Sequence, residues 1–192
     1  MIQAFDSAIL DFFLSLRNGI LTPILKVITL LGEVGIIWII LGLILLFKKE
    51  TRIIGIMILI ALAAEVLICN GVIKNIVQRP RPCWRNPLID TLVKRPTDFS
   101  FPSGHTGACF AALVPCWFYR KKWLAIPATV FALIIVGSRM YFYVHYPTDI
   151  LSGALIGAAV GGIVVFVVNK LSKKEKIRKL LRLPELEPDG QQ

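Results

Sequence analysis

The sequence predicts an all-α membrane protein: a polytopic helix bundle of about five to six spans, preceded by an amphipathic helix at the membrane interface. Hydrophobic residues make up 56% of the 192 residues, which exceeds the share in a typical soluble domain. These residues are collected into long runs with few charges, and basic residues separate the runs. The length suits a single domain, which we place at residues 1–183.

The N-terminal segment Met1–Asn18 has the pattern of a helix that lies in the interface. Asp6 and Arg17 fall off its apolar stripe, and the acidic residues of the segment argue against a cleavable signal peptide. The stripe consists of Phe5, Ile9, Phe12, Phe13 and Leu16. The next segment, Leu21–Leu31, is too short to cross alone. It either continues into the first span or enters the membrane part-way.

Five later runs are apolar enough to form spans, although two are short and need flanking residues to reach across the bilayer. They are Gly35–Phe47, Ile53–Ile73, Gly104–Tyr119, Trp123–Val136 and Ile150–Val168. Glu65 interrupts the second run. An α-helical rotation of about 100° per residue puts it on the face opposite Lys74. We therefore expect Glu65 to contact another helix or another protomer.

The distribution of basic residues predicts the topology. If the spans alternate, thirteen of the 22 lysines and arginines fall on one side, which the positive-inside rule makes cytoplasmic. These are Lys48, Lys49, Arg52, Arg120, Lys121, Lys122, Lys170, Lys173, Lys174, Lys176, Arg178, Lys179 and Arg182. The prediction is a multi-pass protein of the inner or plasma membrane with a cytoplasmic C-terminus. The basic C-terminal run indicates attraction to anionic lipid rather than nucleic acid, and residues 184–192 form a polar tail that we expect to be disordered.

The cysteines and histidines do not form a metal-binding pattern. None of the four cysteines has C-x-x-C spacing, and three of them lie in apolar segments where a thiol behaves as a small hydrophobe. The chain has two histidines. We therefore expect neither a zinc site nor any other cofactor.

Three polar clusters interrupt the apolar sequence. In the second, Pro102-Ser103-Gly104-His105, a proline precedes a helical run, and we expect Ser103 and Gly104 to present free N–H groups at the helix start. Such an end binds anions through these groups and the helix dipole. By itself such a tetrapeptide is more often a simple helix cap.

The third cluster contains Ser138-Arg139, His145 and Asp149. Asp149 falls in the first turn of a predicted helix, where its carboxylate reaches back to the imidazole of His145. A carboxylate on one ring nitrogen sets the tautomer and leaves the other nitrogen as a nucleophile. Arg139 has the planar fork that binds two phosphate oxygens. An interfacial histidine capped by an aspartate is the structural alternative.

The first cluster places Lys74 at the end of a span and Arg81-Pro82 in the loop that follows. Arg79-Pro80 duplicates the second pair, so the spacing alone does not choose between the two arginines. Snorkelling is a structural explanation for the lysine. The loop from Gln78 to Phe101 is rich in proline and is long for a compact bundle, which predicts that it caps the site or controls access to it.

The predicted topology puts all three clusters at the outward face. Together they supply cations, a helix N-terminus, two histidines and a carboxylate, which suits phosphoryl transfer without a metal. The patterns K-x6-R-P, P-S-G-H and S-R-x5-H-x3-D resemble the three-part signature of the type 2 phosphatidic acid phosphatase (PAP2) family, whose relatives include vanadium-dependent haloperoxidases. The match extends from Lys74 to Asp149 and selects Arg81.

The resemblance implies a PAP2/haloperoxidase-like core and a role for each residue. His145 attacks phosphorus, Asp149 orients it, and His105 protonates the leaving oxygen and then activates water. The non-bridging oxygens are held by Lys74, Arg81, Ser103, Gly104 and Arg139. No metal is required. Arg79 and Glu65 receive no role from the resemblance.

The resemblance also implies a lipid phosphate as substrate. Undecaprenyl diphosphate is favoured, with phosphatidylglycerophosphate and phosphatidic acid as further candidates. Membrane lipids are the other expected partners, and the sequence leaves the oligomeric state open. Two alternatives are a carrier that binds lipid phosphates without cleaving them and a phosphatase of soluble phosphate esters.

Overall fold

The computed structural model describes residues 2–183, which form helices and connecting loops. The predicted tail at residues 184–192 lies outside this part of the chain. The α-helices are α1 (Ile2–Ser15), α2 (Leu21–Leu31), α3 (Ile36–Leu46), α4 (Arg52–Glu65), α5 (Lys74–Val77), α6 (Pro82–Arg85), α7 (Gly104–Phe118), α8 (Lys122–Tyr141), α9 (Pro147–Ser172) and α10 (Glu175–Leu180). A π-helix at Val66–Ile73 joins α4 to α5, and a 3₁₀ turn at Glu33–Gly35 precedes α3.

Three helical segments are long and apolar enough to cross a membrane: Arg52–Arg85, Lys122–Tyr141 and Pro147–Ser172. Helices α2 and α3 are bent by 53° relative to each other and would form a fourth span together. Helix α7 has 15 residues, which is fewer than a membrane span needs. It lies inside the bundle against α4, α8 and α9. The number of spans stays a prediction.

Helix α1 packs on α8 and α9 with its apolar stripe turned outward. Phe5 and Phe12 are exposed, whereas Leu10 and Asp6 are buried against the bundle. This arrangement fits a helix that presents aromatic side chains to lipid. The acidic residue that the sequence places off the stripe is therefore the one that faces the protein.

The π-helix changes the rotational phase between Glu65 and Lys74. Its i→i+5 hydrogen bonds wind more residues into each turn than an α-helix does, so the segment accumulates less rotation. The expectation that the two side chains lie on opposite faces assumed an α-helix throughout. Both are buried, and the Glu65 carboxylate contacts Gly107 of α7, where it occupies the space that a Cβ atom would need.

Helices α7 and α9 meet backbone to backbone. A Cβ atom at Gly157 would lie 2.2 Å from the Gly107 carbonyl oxygen, and one at Gly153 would lie 2.5 Å from the Ser103 carbonyl oxygen. Gly161 repeats the pattern one turn further along, against Ala111. Small residues at this spacing are typical of close helix contacts in membranes. They bring the first turn of α7 next to the first turn of α9.

The basic residues collect at the far end of α9. Arg52, the first residue of α4, donates a hydrogen bond of 2.6 Å to the carbonyl oxygen of Arg182, after α10. The basic residues at the start of α4 therefore lie at the same end as those that follow α9. The polar clusters lie at the other end, where α9 begins. This separation agrees with the charge pattern, while its orientation across a membrane stays a prediction.

Replacement of Gly157 by alanine tests the helix contact. The new methyl group would collide with the backbone of α7, and overpacking of this kind costs about 1–3 kcal/mol. We expect Gly157→Ala to lower the midpoint of thermal unfolding in detergent. Gly162→Ala is the matched control, because a Cβ there meets nothing within 4 Å. Equal midpoints for the two variants would contradict a tight contact.

Candidate active site

The three polar clusters meet at the end of the bundle where α7 and α9 begin. The backbone N–H of Ser103 donates to the carbonyl oxygen of Asp149 at 3.1 Å, which joins the second cluster to the third. Arg81 of the first cluster donates through Nη1 to the carbonyl oxygen of Val144 at 2.8 Å and lies 3.1 Å from Nε2 of His145. Residues that are separated by more than 60 positions in the sequence thus form one buried group.

His145 is oriented by Arg81 and Asp149. Its Nδ1 lies 3.6 Å from Oδ2 of Asp149, slightly beyond a hydrogen bond, and its Nε2 faces Nη1 of Arg81. A guanidinium can only donate, so Nε2 is the accepting nitrogen and the ring proton belongs on Nδ1, toward the carboxylate. This tautomer leaves the lone pair of Nε2 directed at the cationic side of the site.

The surroundings of His145 favour its neutral form. Burial, followed by the charges of Arg81, Arg139 and Lys74, lowers the pKa of the imidazole well below its ordinary value, and only Asp98 opposes this effect among the main contributors. The group is therefore uncharged at neutral pH, which is the state that a nucleophile needs.

Asp149 is held by three donors that the sequence motifs do not specify. Arg79 Nη1 donates to Oδ1 at 2.5 Å, while the hydroxyl of Ser100 and the backbone N–H of Tyr146 (2.9 Å) donate to Oδ2. Ser100 comes from the end of the long loop, three residues before Ser103. The carboxylate is thus fixed by the loop and by the arginine that spacing left without a role.

His105 lies in the first turn of α7. Its Nε2 is buried and has no hydrogen-bond partner within residues 2–183. The imidazole lies close enough to His145, Arg139, Lys74 and Arg81 for their charges to interact. The two histidines of the chain are therefore in the same charged cluster.

The sequence predicts that Ser103 and Gly104 present free N–H groups at the start of α7, and the structure gives the two residues different surroundings. The Ser103 hydroxyl accepts hydrogen bonds from Thr106 and caps α7, and the Ser103 N–H is taken by Asp149. The prediction of a free N–H at Ser103 is therefore wrong, because the close contact of α7 with α9 supplies an acceptor. At Gly104 the missing side chain makes room for Asn70, whose Oδ1 lies 3.0 Å from the Cβ position.

Lys74 and Arg81 share the carboxylate of Asp98. Lys74 contacts Oδ2, and Arg81 Nη2 lies 2.7 Å from Oδ1. Although partial burial by itself raises the pKa of Asp98, the contacts with Lys74 and Arg81 outweigh it and hold this pKa at about 2. The loop thus places a permanently charged, half-exposed carboxylate on two of the cations expected to bind phosphate.

Arg139 is a buried cation of the site and has no carboxylate partner among residues 2–183. Only 6% of its surface is exposed. Nη1 donates to the Thr29 hydroxyl at 2.6 Å, and Nε has no hydrogen-bond partner among the residues that the structure describes. No ion pair involves Arg139 in that part of the chain, although burial of an unpaired charge costs several kcal/mol. The site is therefore electrostatically incomplete without an anion.

The balance of charge in the described site is positive. Four cations, Lys74, Arg79, Arg81 and Arg139, face three carboxylates, Asp6, Asp98 and Asp149. Of these carboxylates only Asp149 belongs to the motifs. The other two were missed as site residues, although an aspartate in an apolar N-terminal helix and one just before the second cluster were visible signals. Within residues 2–183 no group of three or more histidine, cysteine or acidic side chains is arranged to hold a metal ion.

Comparison with known proteins identifies relatives over most of the chain. Residues 53–173 match the family described as the PAP2 superfamily. An undecaprenyl-diphosphatase of Sulfolobus acidocaldarius is 31% identical over 147 residues, which cover 76% of this chain and 70% of that protein. A phosphatidylglycerophosphatase B of Bacillus subtilis is 29% identical over 188 residues, which cover 91% of this chain and 87% of that protein.

A solved structure shares the fold. It is the crystal structure of a transmembrane PAP2 type phosphatidylglycerolphosphate phosphatase from Bacillus subtilis, with a TM-score of 0.71 and 28% sequence identity. The match covers 88% of this chain and 87% of that chain. The prediction of an all-α membrane fold with a PAP2-like core is confirmed.

Substitution of Asp98 tests whether the loop carboxylate competes with phosphate. We expect Asp98→Asn to bind inorganic phosphate several times more tightly, because Lys74 and Arg81 lose their internal anion. The measurement is the dissociation constant from calorimetry in detergent. Asp90→Asn, with the same change of charge in the same loop, is the control. Weaker binding by Asp98→Asn would mean that the carboxylate orients the cations instead.

Proposed function

This chain belongs to the PAP2 superfamily and is a phosphatase of that family; we propose that it hydrolyses the phosphomonoester or diphosphate of a membrane lipid through a phosphohistidine intermediate on His145. The observation that carries the proposal is Arg139: a buried guanidinium beside both imidazoles with no carboxylate partner among residues 2–183. A phosphate group supplies the missing negative charge and accepts from the unpaired donor.

The proposed first step is attack by Nε2 of neutral His145 on phosphorus. The P–N bond forms as the P–O bond to the lipid breaks. His105 acts as an imidazolium, the form that the negative charge of a bound phosphate stabilises, and it becomes neutral as it gives its proton to the leaving oxygen. The ring then carries positive charge with its proton on Nδ1, which faces Asp149 at 3.6 Å. Asp149 stabilises this charge and keeps the ring in position.

In the second step water attacks phosphorus and gives a proton to His105, and the P–N bond breaks. Orthophosphate leaves, and His145 returns to its neutral form. Lys74, Arg81 and Arg139, with the hydroxyl proton of Ser103 and the backbone N–H of Gly104, stabilise the charge on the non-bridging oxygens in both steps. None of these steps requires a metal.

A lipid substrate agrees with the exposed apolar surface around the site. The π-helix below Lys74 exposes Leu67 and Val72, and α1 exposes Phe5 and Phe12. A tail can lie against these side chains while its phosphate reaches the cations at the end of the bundle. Because relatives carry the names undecaprenyl-diphosphatase and phosphatidylglycerophosphatase B, we favour undecaprenyl diphosphate, followed by phosphatidylglycerophosphate and phosphatidic acid.

The proposed cellular arrangement follows from the charge separation along α9. The basic end, which includes Lys170 and Arg182, lies in the cytoplasm of a bacterial-type cell, and the site faces outward across the inner or plasma membrane. Lipid phosphates of the outer leaflet then reach the site without crossing the bilayer.

Phosphate release from a panel of lipid phosphates and diphosphates tests the function. We expect the purified protein to release orthophosphate from at least one lipid in detergent and to keep its activity with a chelator present. His145→Ala and Asp149→Asn should each reduce release at least a hundredfold, because the nucleophile or its orienting group is lost.

Three outcomes would contradict parts of this proposal. Lipid binding without release by the wild-type protein would indicate a carrier. Faster turnover of water-soluble esters than of lipid esters would indicate a soluble substrate. Loss of activity with chelator, restored by added metal, would contradict the metal-free mechanism. Glu65→Gln, which lies outside the proposed machinery, serves as a control for folding.

A further inference from the structure

A chain of charged side chains extends from the site into the N-terminal helix, and two of its members, Arg79 and Asp6, have no role in the mechanism above. Arg79 Nη2 lies 2.7 Å from Oδ2 of Asp6, and Arg79 Nη1 lies 2.5 Å from Oδ1 of Asp149. Asp149 in turn faces Nδ1 of His145. One guanidinium thus joins a helix at the edge of the bundle to the carboxylate behind the nucleophile.

The geometry around Arg79 fixes its fork in one orientation. Nη1 also donates to the Thr148 hydroxyl at 2.8 Å, and the guanidinium lies over the Tyr146 ring, 4.0 Å from its centroid. Both contacts come from the first turn of α9 or the residue before it. A lysine could not span Asp6 and Asp149 in this way, because a single ammonium group lacks two separate donor nitrogens.

Asp6 is as well held as a core residue. It is 1% exposed, and its carboxylate accepts from the Thr148 backbone N–H at 3.1 Å and from the Thr148 hydroxyl at 2.8 Å as well as from Arg79. A buried carboxylate costs free energy unless it is paired. Asp6 therefore orients α1, so that its acidic side chain faces the site and its aromatic side chains face outward.

We propose that Arg79 is the positioning residue for Asp149, and that Asp6 holds Arg79, so that the N-terminal helix completes the active site. This inference rests on the proposed function, since it assigns a role behind the nucleophile of that reaction. Neither residue belongs to the three motifs, and neither touches the reacting atoms.

The arrangement separates the two oxygens of Asp149. Arg79 donates to Oδ1, whereas the Ser100 hydroxyl and the Tyr146 N–H donate to Oδ2. These bonds fix the carboxylate so that Oδ2 is the oxygen that faces the imidazole. Arg79 also neutralises part of the negative charge of Asp149. During attack the imidazole proton therefore stays on Nδ1, and Asp149 remains an anion that orients the ring.

The charge of Arg79 consequently influences the basicity of His145. The other charged or titratable groups that face this imidazole come from the first cluster, the long loop, α7, α8 and α9. They are Lys74, Arg81, Asp98, His105, Arg139 and Asp149. Of these groups only His105 is replaced in the experiment below, and it is replaced in every protein that is compared. A change in the titration of His145 therefore reports on the Asp6–Arg79 pair.

Two measurements test the inference. The first is kcat and KM for phosphate release by Arg79→Gln, Arg79→Lys and Asp6→Asn. The second is the pH dependence of His145 carbethoxylation by diethyl pyrocarbonate, in a His105→Gln background without a polyhistidine tag. Because the chain has two histidines, the absorbance change in this background reports on His145 alone. Asp11→Asn, an exposed acid of the same helix, is the matched control.

We expect Arg79→Gln to lower kcat on the order of a hundredfold with little change in KM, because a small misplacement of the orienting group slows the reaction step. Arg79→Lys should lie between this variant and the wild type. In the modification experiment Arg79→Gln should raise the titration midpoint of His145 by roughly one pH unit, since Asp149 loses its compensating cation. Asp6→Asn should lower the midpoint, because the positive charge of Arg79 is then no longer partly neutralised by Asp6 and disfavours the protonated form of His145. Asp11→Asn should match the wild type.

The inference fails if Arg79→Gln leaves kcat and the titration midpoint of His145 unchanged. It also fails if Arg79→Gln and Asp6→Asn move this midpoint in the same direction, because general disruption of the site would do that. Should Arg79→Gln not fold, Arg79→Lys and Asp6→Asn carry the test, with unfolding midpoints as the check. The modification experiment needs no turnover. Absence of phosphate release by the wild type would therefore overturn the proposed function, while the His145 titration would still decide the inference.

Discussion

The backbone contact between α7 and α9 is the constraint on which the site depends. Glycines at positions 107, 153 and 157 let the two helices approach so closely that carbonyl oxygens occupy the space of side chains. The contact places the N-terminus of α7, with His105, beside the N-terminus of α9, with Asp149, and the Ser103 N–H bonds the Asp149 carbonyl. A wider spacing would separate the second cluster from the third, and no rearrangement of side chains could replace this alignment.

Most of the charged groups at this end are buried, and they form ion pairs with one another. Arg79 is shared by two carboxylates, and Asp98 is shared by two cations. Of the four cations of the site, Arg139 alone has no ion pair among the described residues. In a buried site such an imbalance is costly. It favours an anion over a neutral ligand, and the phosphate binding that we propose would relieve a cost that the fold already carries.

Residues outside the three motifs form the hydrogen bonds and ion pairs that orient the side chains of the motif residues. The long loop supplies Asp98 to the first cluster and Ser100 to Asp149, and the N-terminal helix supplies Asp6 to Arg79. These elements are peripheral in the topology, yet their polar side chains are the ones that point inward. The catalytic core and its periphery are therefore one electrostatic unit. Asp6 of the N-terminal helix is connected to Asp149 of the site through the two ion pairs of Arg79.

The sequence by itself determined the membrane class and the separation of charge between the two ends, and it predicted His105, His145, Asp149 and the neighbouring cations as site residues, because long apolar runs and short polar motifs are local patterns. It did not determine the partners of these residues. The π-helix before Lys74 changes the rotation between Glu65 and Lys74 from the value that a continuous α-helix would give. The Ser103 N–H, which the motif suggests is free, donates to the carbonyl oxygen of Asp149. Only the tertiary structure gave Arg79 its place between Asp6 and Asp149, since an ion pair between residues 73 positions apart depends on how helices pack and leaves no periodic trace in the chain.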